Sequence, residues 1–198
     1  MTSAEADSRL NEMLEQTEAM HKHLCPRQVL GVRMGLLASE LLGIEMPQKD
    51  KRVLAFVESD GCFADGLSAA TGCTLGHRTM RLFDYGKVAA TLVDTKTGRA
   101  VRIAPRADSR KRAAEAVPEA ANRWKGQLEA YKSIPSELLL EAREVAVNLD
   151  VAALVGKAGV RVNCARCQEE ILNQREVAHE GETLCQSCAG DSYWRAAE

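Results

Sequence analysis

Two kinds of segment are missing from this sequence of 198 residues. It contains no apolar run of about 18 or more residues, which is the length that a membrane-spanning helix needs. Its first residues, Met1-Thr2-Ser3-Ala4-Glu5-Ala6-Asp7, lack the basic-then-apolar order of a signal peptide. We therefore expect a soluble, cytoplasmic protein with no membrane partner.

The charge and the cysteine count argue against two further classes of protein, those that bind nucleic acid and those stabilised by disulfides. The formal net charge is -2, so the chain as a whole is not expected to bind nucleic acid. Seven cysteines is an odd number, and four of them form two Cys-x-x-Cys pairs. This pattern is typical of metal binding in a reducing compartment and not of a disulfide framework.

The two Cys-x-x-Cys pairs lie near the C-terminus, at Cys164 and Cys167 and, after seventeen residues, at Cys185 and Cys188. Four thiolates at this spacing predict a structural zinc site, which we favour over two redox dithiols. A hairpin turning at Glu180-Gly181 and a short helix over 187–194 would make a treble-clef finger. We place this unit at 156–198, and its folding should depend on the metal because so short a segment cannot build a sufficient core.

The interval between the two pairs is acidic, which bears on the partners of this unit. It contains Arg175 against the glutamates Glu169, Glu170, Glu176, Glu180 and Glu182. An acidic finger is a poor phosphate binder, so nucleic acid is not the expected partner.

A second set of metal-capable side chains lies in the first half of the chain. His21, His23 and Cys25 fall within five residues, immediately before Pro26, at the start of an apolar helical pattern. Cys62 and Asp65 follow the apolar run Val53–Val57, and Cys73 and His77 lie in a glycine-punctuated loop beyond them. The alternative is that the imidazoles merely neighbour a helix and that the thiols are simply buried.

Three motifs in this half carry a resemblance to a known family. They are His21-Lys22-His23-Leu24-Cys25-Pro26, the Glu58-to-Asp65 stretch with Cys62, and Gly72-Cys73-Thr74-Leu75-Gly76, with Asp84-Tyr85-Gly86-Lys87 extending the match. In this order they resemble the E-subunit family of formylmethanofuran dehydrogenase, part of which also has a C-terminal zinc finger. Lys22 and Arg27 stand where that family usually has glycine.

The resemblance implies a fold and a set of partners. The fold is α+β, with a thioredoxin-like mixed sheet flanked by helices, and we assign it to a core domain over 1–155. The family also implies a homodimer, and an association with a molybdenum or tungsten enzyme of methanogenesis that oxidises a formyl group on a one-carbon carrier.

Hydrophobic periodicity predicts the elements of the core domain. Between Pro105 and Asn148 the composition predicts two or three surface helices, with Pro118 and Pro135 starting new ones. The other predicted helices are Ser3–Met20, Pro26–Leu42 and Ala64–Ala70, and the predicted strands are Val53–Val57, Arg81–Phe83, Lys87–Val93 and Ala100–Ile103.

The candidate site residues follow from these motifs. In the core domain, we expect His21, His23, Cys25 and Cys62 to converge as ligands of a second metal, with Cys73 as a further candidate. Cys25 is the leading catalytic candidate, because a helix N-terminus should lower its thiol pKa. His23 is a candidate base, and Asp65 a residue that orients a ligand or acts as acid or base.

These residues support three hypotheses about function. The leading one is a metal-binding protein, accessory to a molybdenum or tungsten one-carbon oxidoreductase, because the chain lacks the sequence features of a molybdopterin or iron–sulfur catalyst. The second is a separate enzyme, either a zinc-dependent hydrolase or a thiol-based transferase. The third is an interaction or regulatory module that uses the finger to bind a protein.

Overall fold

The computed structural model describes residues 3–156 and 159–197 of the chain. The chain divides into two compact units, Met1–Val155 and Gly156–Glu198. We call the first the core unit and the second the finger. No helix in the described part of the chain is both long enough and apolar enough to cross a membrane.

A five-stranded mixed sheet forms the centre of the core unit. Its strands are β1 (Val53–Val57), β2 (Met80–Leu82), β3 (Ala90–Asp94), β4 (Ala100–Pro105) and β5 (Leu140–Val145). Their order across the sheet is β2-β1-β3-β4-β5. Strands β1 and β2 run parallel, whereas the other neighbouring pairs are antiparallel. Strand β1 is therefore an interior strand, and the segment after Val57 leaves the sheet beside β2 and β3.

Seven helices accompany this sheet in the described part of the core unit. They are α1 (Ser3–His21), α2 (Pro26–Leu42), α3 (Cys62–Thr71), α4 (Ser109–Ala116), α5 (Arg123–Ser133), α6 (Ser136–Leu139) and α7 (Val151–Val155). Helix α2 starts with Pro26, whose missing N–H costs nothing at the first turn, and ends at Gly43, which adopts a left-handed φ of 65°.

The run of apolar residues in β1 reflects burial on both faces of the sheet. Successive side chains of a strand point to opposite faces, and all five residues of β1 are buried. Val53, Ala55 and Val57 join the main core together with the helices. Leu54 and Phe56 join a smaller cluster on the other face, against which residues of the segment from Val145 to Val155 pack.

Glycines allow α2 and α3 to approach closely. A Cβ on Gly31 would lie 2.0 Å from the carbonyl oxygen of Phe63, and a Cβ on Gly66 would lie 2.2 Å from that of Gln28. Both distances are far below van der Waals contact, so larger side chains would push the helices apart. Because Cys25 precedes α2 and Cys62 begins α3, this close packing brings the two helix starts together.

The finger consists of two short antiparallel hairpins. Strands β6 (Arg161–Asn163) and β7 (Glu170–Leu172) form the first, and β8 (Val177–His179) and β9 (Glu182–Leu184) form the second. The second turns at Glu180-Gly181, as predicted, with positive φ at both residues. The core of the finger is small: Cys164, Ile171 and Leu184 are its buried residues in the described part of the chain.

The predicted α+β class, a mixed sheet flanked by helices with a small metal-binding motif after it, is confirmed. Helix α2 and strand β1 have the predicted bounds. Three details were wrong. Leu140–Val145 is a strand and not part of a surface helix. In place of the expected helix over 187–194, residues 187–190 form a turn and 191–194 have no regular structure. Pro118 starts no helix, because α5 begins at Arg123.

Candidate functional site

The four finger cysteines converge on one point. Their sulfur atoms all lie within 4.8 Å of one another, and Cys164 is buried. In the described part of the chain this is the only group of three or more His, Cys, Asp or Glu side chains close enough to hold a metal ion together. The predicted set Cys164, Cys167, Cys185 and Cys188 is therefore able to bind a metal.

Backbone N–H groups of the finger point at these sulfurs. The N–H of Cys185 donates to Cys164 Sγ at 3.3 Å, and that of Cys188 donates to Cys185 Sγ at 3.4 Å. Hydrogen bonds from the backbone of Cys167 and then of Cys185 lower the pKa of Cys164 to about 6. The adjacent Cys185 thiol is the main cause that raises the pKa of Cys188 to about 12. Four thiols this close resist full ionisation unless a cation compensates their charge.

In the core unit, the structure places the Cys25 and Cys62 side chains near enough for the Cys62 thiol to raise the pKa of Cys25. Cys25 is the N-cap residue of α2, and its backbone N–H donates to Gln28 Oε1 at 2.6 Å. Cys62 is the first residue of α3. We call this pair and its surroundings the thiol pocket.

His21 and Asp65 form the second close pair of the thiol pocket. His21 ends α1, and its Nε2 lies 2.5 Å from Oδ2 of Asp65, which is three residues after Cys62 on α3. His23 lies next to His21: their rings are in edge contact with centroids 5.7 Å apart. His23 Nδ1 lies 3.0 Å from the carbonyl oxygen of His21. A carbonyl only accepts, so Nδ1 of His23 carries the proton and Nε2 is the nitrogen left for a ligand or a proton transfer.

Cys73, the further candidate, lies elsewhere. Its thiol donates to the carbonyl oxygen of Val53 at 3.4 Å, at the start of β1, whereas Cys62 follows the end of that strand. Burial raises the pKa of the Cys73 thiol. The structure therefore does not bring Cys73 into the thiol pocket, and this residue is a buried core cysteine.

The expected lowering of the Cys25 pKa was also wrong. Burial is the main cause that raises the pKa of this thiol, and the Cys62 thiol raises it further. Hydrogen bonds from the backbone of Gln28 and Arg27 act in the opposite direction, as expected at a helix N-terminus, but they are outweighed.

Gln28 is a pocket residue that the motifs did not reveal. Its side chain is fully buried, and while Oε1 accepts from Cys25, Nε2 has no hydrogen-bond partner in the described part of the chain. Buried donors are normally satisfied, so this amide is an unmatched donor at the start of α2, close to Cys25 in the chain. The spacing Cys25-x-x-Gln28, which follows the spacing of a capping box, was the signal that could have identified it.

A cleft of about 390 Å³ adjoins the thiol pocket. Asp65 lines both, because its carboxylate contacts His21 and also faces the cleft. The remaining walls are largely apolar and include Val57, Leu75 and Leu82. A substrate or a partner segment with an apolar part could thus reach the His21–Asp65 pair.

Comparison with known proteins identifies the family. A family model described as "FmdE, Molybdenum formylmethanofuran dehydrogenase operon" matches residues 20–148. The chain belongs to the FmdE family. The matched range contains every candidate residue of the thiol pocket and ends before the finger, so the resemblance carried by the sequence motifs is confirmed.

A crystal structure with the same fold bears an FmdE-like name. It is described as a "tungsten formylmethanofuran dehydrogenase subunit e (fmde)-like protein" from Syntrophus aciditrophicus. The TM-score is 0.61 at 25% sequence identity, with 94% of this chain and 95% of that chain covered.

A curated relative is longer than this chain. It is a "Probable S-adenosyl-L-methionine-binding protein" from Archaeoglobus fulgidus, 32% identical over 209 aligned residues. The alignment covers 96% of this chain but 56% of that protein, so the chain spans about half the length of the relative.

Proposed function

We propose that this protein is a metal-binding accessory protein of a molybdenum or tungsten one-carbon oxidoreductase. In this proposal, the finger holds a structural zinc ion, and the thiol pocket binds a second metal ion that can be exchanged. The closeness of Cys25 and Cys62 is the observation that carries the proposed metal site, because the tight packing of α2 against α3 places two soft ligands near each other in a family-matched region.

The finger fits zinc by its ligand set and its dimensions. Zinc–sulfur bonds of about 2.3 Å in a tetrahedron place the sulfurs roughly 3.8 Å apart. The sulfurs of Cys167 and Cys185 are 3.9 Å apart. Four protein ligands would fill every position of a tetrahedral ion, so this zinc would stabilise the fold and have no position left for a substrate.

The thiol pocket fits a more loosely held metal. In this proposal Cys25 and Cys62 supply two thiolates, and the imidazole of His21 or His23 joins them only if it moves closer when the metal binds. Among the described residues of the pocket, no three of these candidate ligand atoms lie close enough together to bind one ion. A metal held by two thiolates would keep open positions, which supports exchange with a partner or with a substrate.

The association with an oxidoreductase is supported by names and not by geometry. The family description and the name of the structural relative both refer to formylmethanofuran dehydrogenase. The chain itself lacks a molybdopterin-type or ferredoxin-type sequence, so we assign the redox chemistry to the partner. We also propose a cytoplasmic homodimer, for which light scattering should give twice the chain mass of 21.6 kDa.

Metal analysis of protein purified without added metal tests the second ion. We expect about two ions per chain for the wild type and about one for Cys25→Ser, with the finger ion retained. Cys73→Ser is the matched control, because it removes another buried thiol of the core unit that lies outside the thiol pocket. Equal metal content in the wild type and Cys25→Ser would refute the proposed core site.

A thiol-based transferase is the second candidate. The observation in its favour is the His21–Asp65 contact of 2.5 Å in the same pocket as the two thiols, since a carboxylate oriented toward an imidazole makes it a better base. This candidate predicts that an electrophilic substrate analogue labels Cys25 or Cys62 stoichiometrically in metal-free protein. Labelling that is unchanged by Asp65→Asn would argue against the base.

A further inference from the structure

Two of the family motif segments meet away from the thiol pocket, at a slot on the other face of the sheet. The slot has a volume of about 450 Å³ and lies within the core unit. Glu58, the first residue of the Glu58-to-Asp65 stretch, and Tyr85, from the Asp84-to-Lys87 stretch, both line it. Phe56 and Phe83 complete its aromatic walls.

A bidentate ion pair lies in the wall of the slot. Arg102 donates from Nε and Nη2 to the two carboxylate oxygens of Glu58, at 2.6 and 2.7 Å. Glu58 is buried, and the pair holds the planar guanidinium in a fixed orientation. The Nη1 group of Arg102 has no hydrogen-bond partner in the part of the chain that the structure describes. Nη1 and the second N–H of Nη2 are therefore both available as donors on an oriented side chain.

Hydrogen bonds fix the backbone of the turn that carries Tyr85. The N–H of Tyr85 donates to the carbonyl oxygen of Glu58 at 2.9 Å, and Asp84 Oδ1 accepts from Gly86 N–H at 3.0 Å to close the turn. The rings of Phe56 and Phe83 lie 5.8 Å apart. Tyr85 is 64% exposed and Phe83 is 37% exposed, so two aromatic side chains face solvent at one slot.

We propose that this slot binds a purine base, with the ring stacked on Tyr85 and Phe83 and its Hoogsteen edge facing Arg102. Aromatic side chains stack on a flat heterocycle, and a guanidinium donates to the adjacent O6 and N7 acceptors of guanine. Glu58 neutralises the charge of Arg102, which favours a neutral ring over a free phosphate. The proposal is independent of metal binding in the thiol pocket.

Guanosine is the probe, and isothermal titration and NMR shift mapping of the full chain are the readouts. We expect saturable binding that shifts the resonances of Tyr85 and Phe83, while ribose gives none. Adenosine should bind at least about fivefold more weakly, because its N6 amino group would place a hydrogen-bond donor opposite the donors of Arg102. The absence of saturable guanosine binding, or equal affinity for adenosine, would overturn the proposal.

Substitutions of Tyr85 separate stacking from a general surface effect. Loss of one stacking partner should lower guanosine affinity in Tyr85→Ala at least about fivefold, while Tyr85→Phe keeps affinity within about twofold. Tyr193→Ala is the matched control, because it removes a 99% exposed tyrosine from the finger. Thermal melting of Tyr85→Ala confirms that it folds, and unchanged affinity in that variant would contradict the stacking.

Discussion

The finger and the thiol pocket gather similar ligands by different physical means. In the finger, two Cys-x-x-Cys pairs bring four sulfurs within 4.8 Å of one another through short hairpins. In the thiol pocket, Cys25 and Cys62 meet because glycines allow α2 and α3 to pack with almost no gap. We therefore expect the finger to depend on its metal for its fold, and the pocket to depend on the fold for its metal.

The largest effect is expected from the loss of one finger ligand. Cys185→Ser should abolish metal binding by the finger and unfold residues 156–198, since metal binding supplies roughly 10 kcal/mol to such small units. The core unit should keep its melting temperature within about 2 °C. Metal analysis, together with NMR dispersion of the finger resonances, checks this outcome.

The control for this variant lies between two of the ligands. Gln186→Ser changes an exposed side chain next to Cys185 and should leave the metal content and the finger spectrum unchanged. A folded finger with full metal content in Cys185→Ser would show that the four-thiolate set is wrong.

The next largest effect tests how the fold sets the thiol pocket. Gly66→Ala places a Cβ 2.2 Å from the carbonyl oxygen of Gln28, so α3 must move away from α2. Overpacking costs about 1–3 kcal/mol, which corresponds to a fall in melting temperature of roughly 2–12 °C for the core unit. The second metal ion should be lost as Cys25 and Cys62 separate, while the finger ion stays.

Gly76→Ala is the matched control for this substitution. A Cβ on Gly76 meets nothing within 4 Å, and its φ lies outside the left-handed region. We expect no loss of either metal ion. If Gly66→Ala kept both ions and its stability, close helix packing would not be what sets the pocket.

Lowering the pH should affect the core unit and the finger at different pH values, and we expect a smaller effect than that of Gly66→Ala. Asp94 accepts hydrogen bonds from Arg52 at 2.6 and 2.9 Å, and these are the main cause that holds its pKa well below the usual range. The stabilisation is therefore present above the unfolded pKa near 4 and is lost as the pH falls toward the folded value. The finger should release its metal at a higher pH than this, since its thiolates take up protons first.

Thermal melts of Asp94→Asn between pH 7 and pH 2 test the acid dependence. At pH 7 the core unit should melt about 4–8 °C lower than the wild type, and the gap should shrink as the pH falls below about 4. Glu144→Gln, at an exposed pair with Arg99, should change the melting temperature by less than about 2 °C. A gap that stayed constant down to pH 2 would contradict the assigned ion pair.

The smallest effect on metal content is expected at Cys73. Its thiol contacts the Val53 carbonyl and lies outside the thiol pocket, so Cys73→Ala should retain as many ions as the wild type. A modest loss of stability is expected from the small change in a buried side chain. Loss of one metal ion in this variant would show that Cys73 is a ligand after all.

Local sequence patterns predicted much of the fold. The helical spacing of Leu10, Met13, Leu14, Thr17 and Met20 predicted α1 and its packing face; the first four are buried, whereas Met20 is 57% exposed. Strand β5 was missed because four of its six residues are exposed at the edge of the sheet. Its charged, alanine-containing sequence therefore resembles a surface helix.

The sequence by itself determined the finger and the family, because ligand spacing and motif order are local properties of a chain. It also named the cysteine, histidine and aspartate residues of the thiol pocket, but not Gln28. Only the tertiary structure decided that Cys25 meets Cys62, that Cys73 does not, and that burial outweighs the helix N-terminus at Cys25. These outcomes depend on how closely α2 and α3 pack and on which end of β1 each loop reaches, and both are set by contacts between residues far apart in sequence.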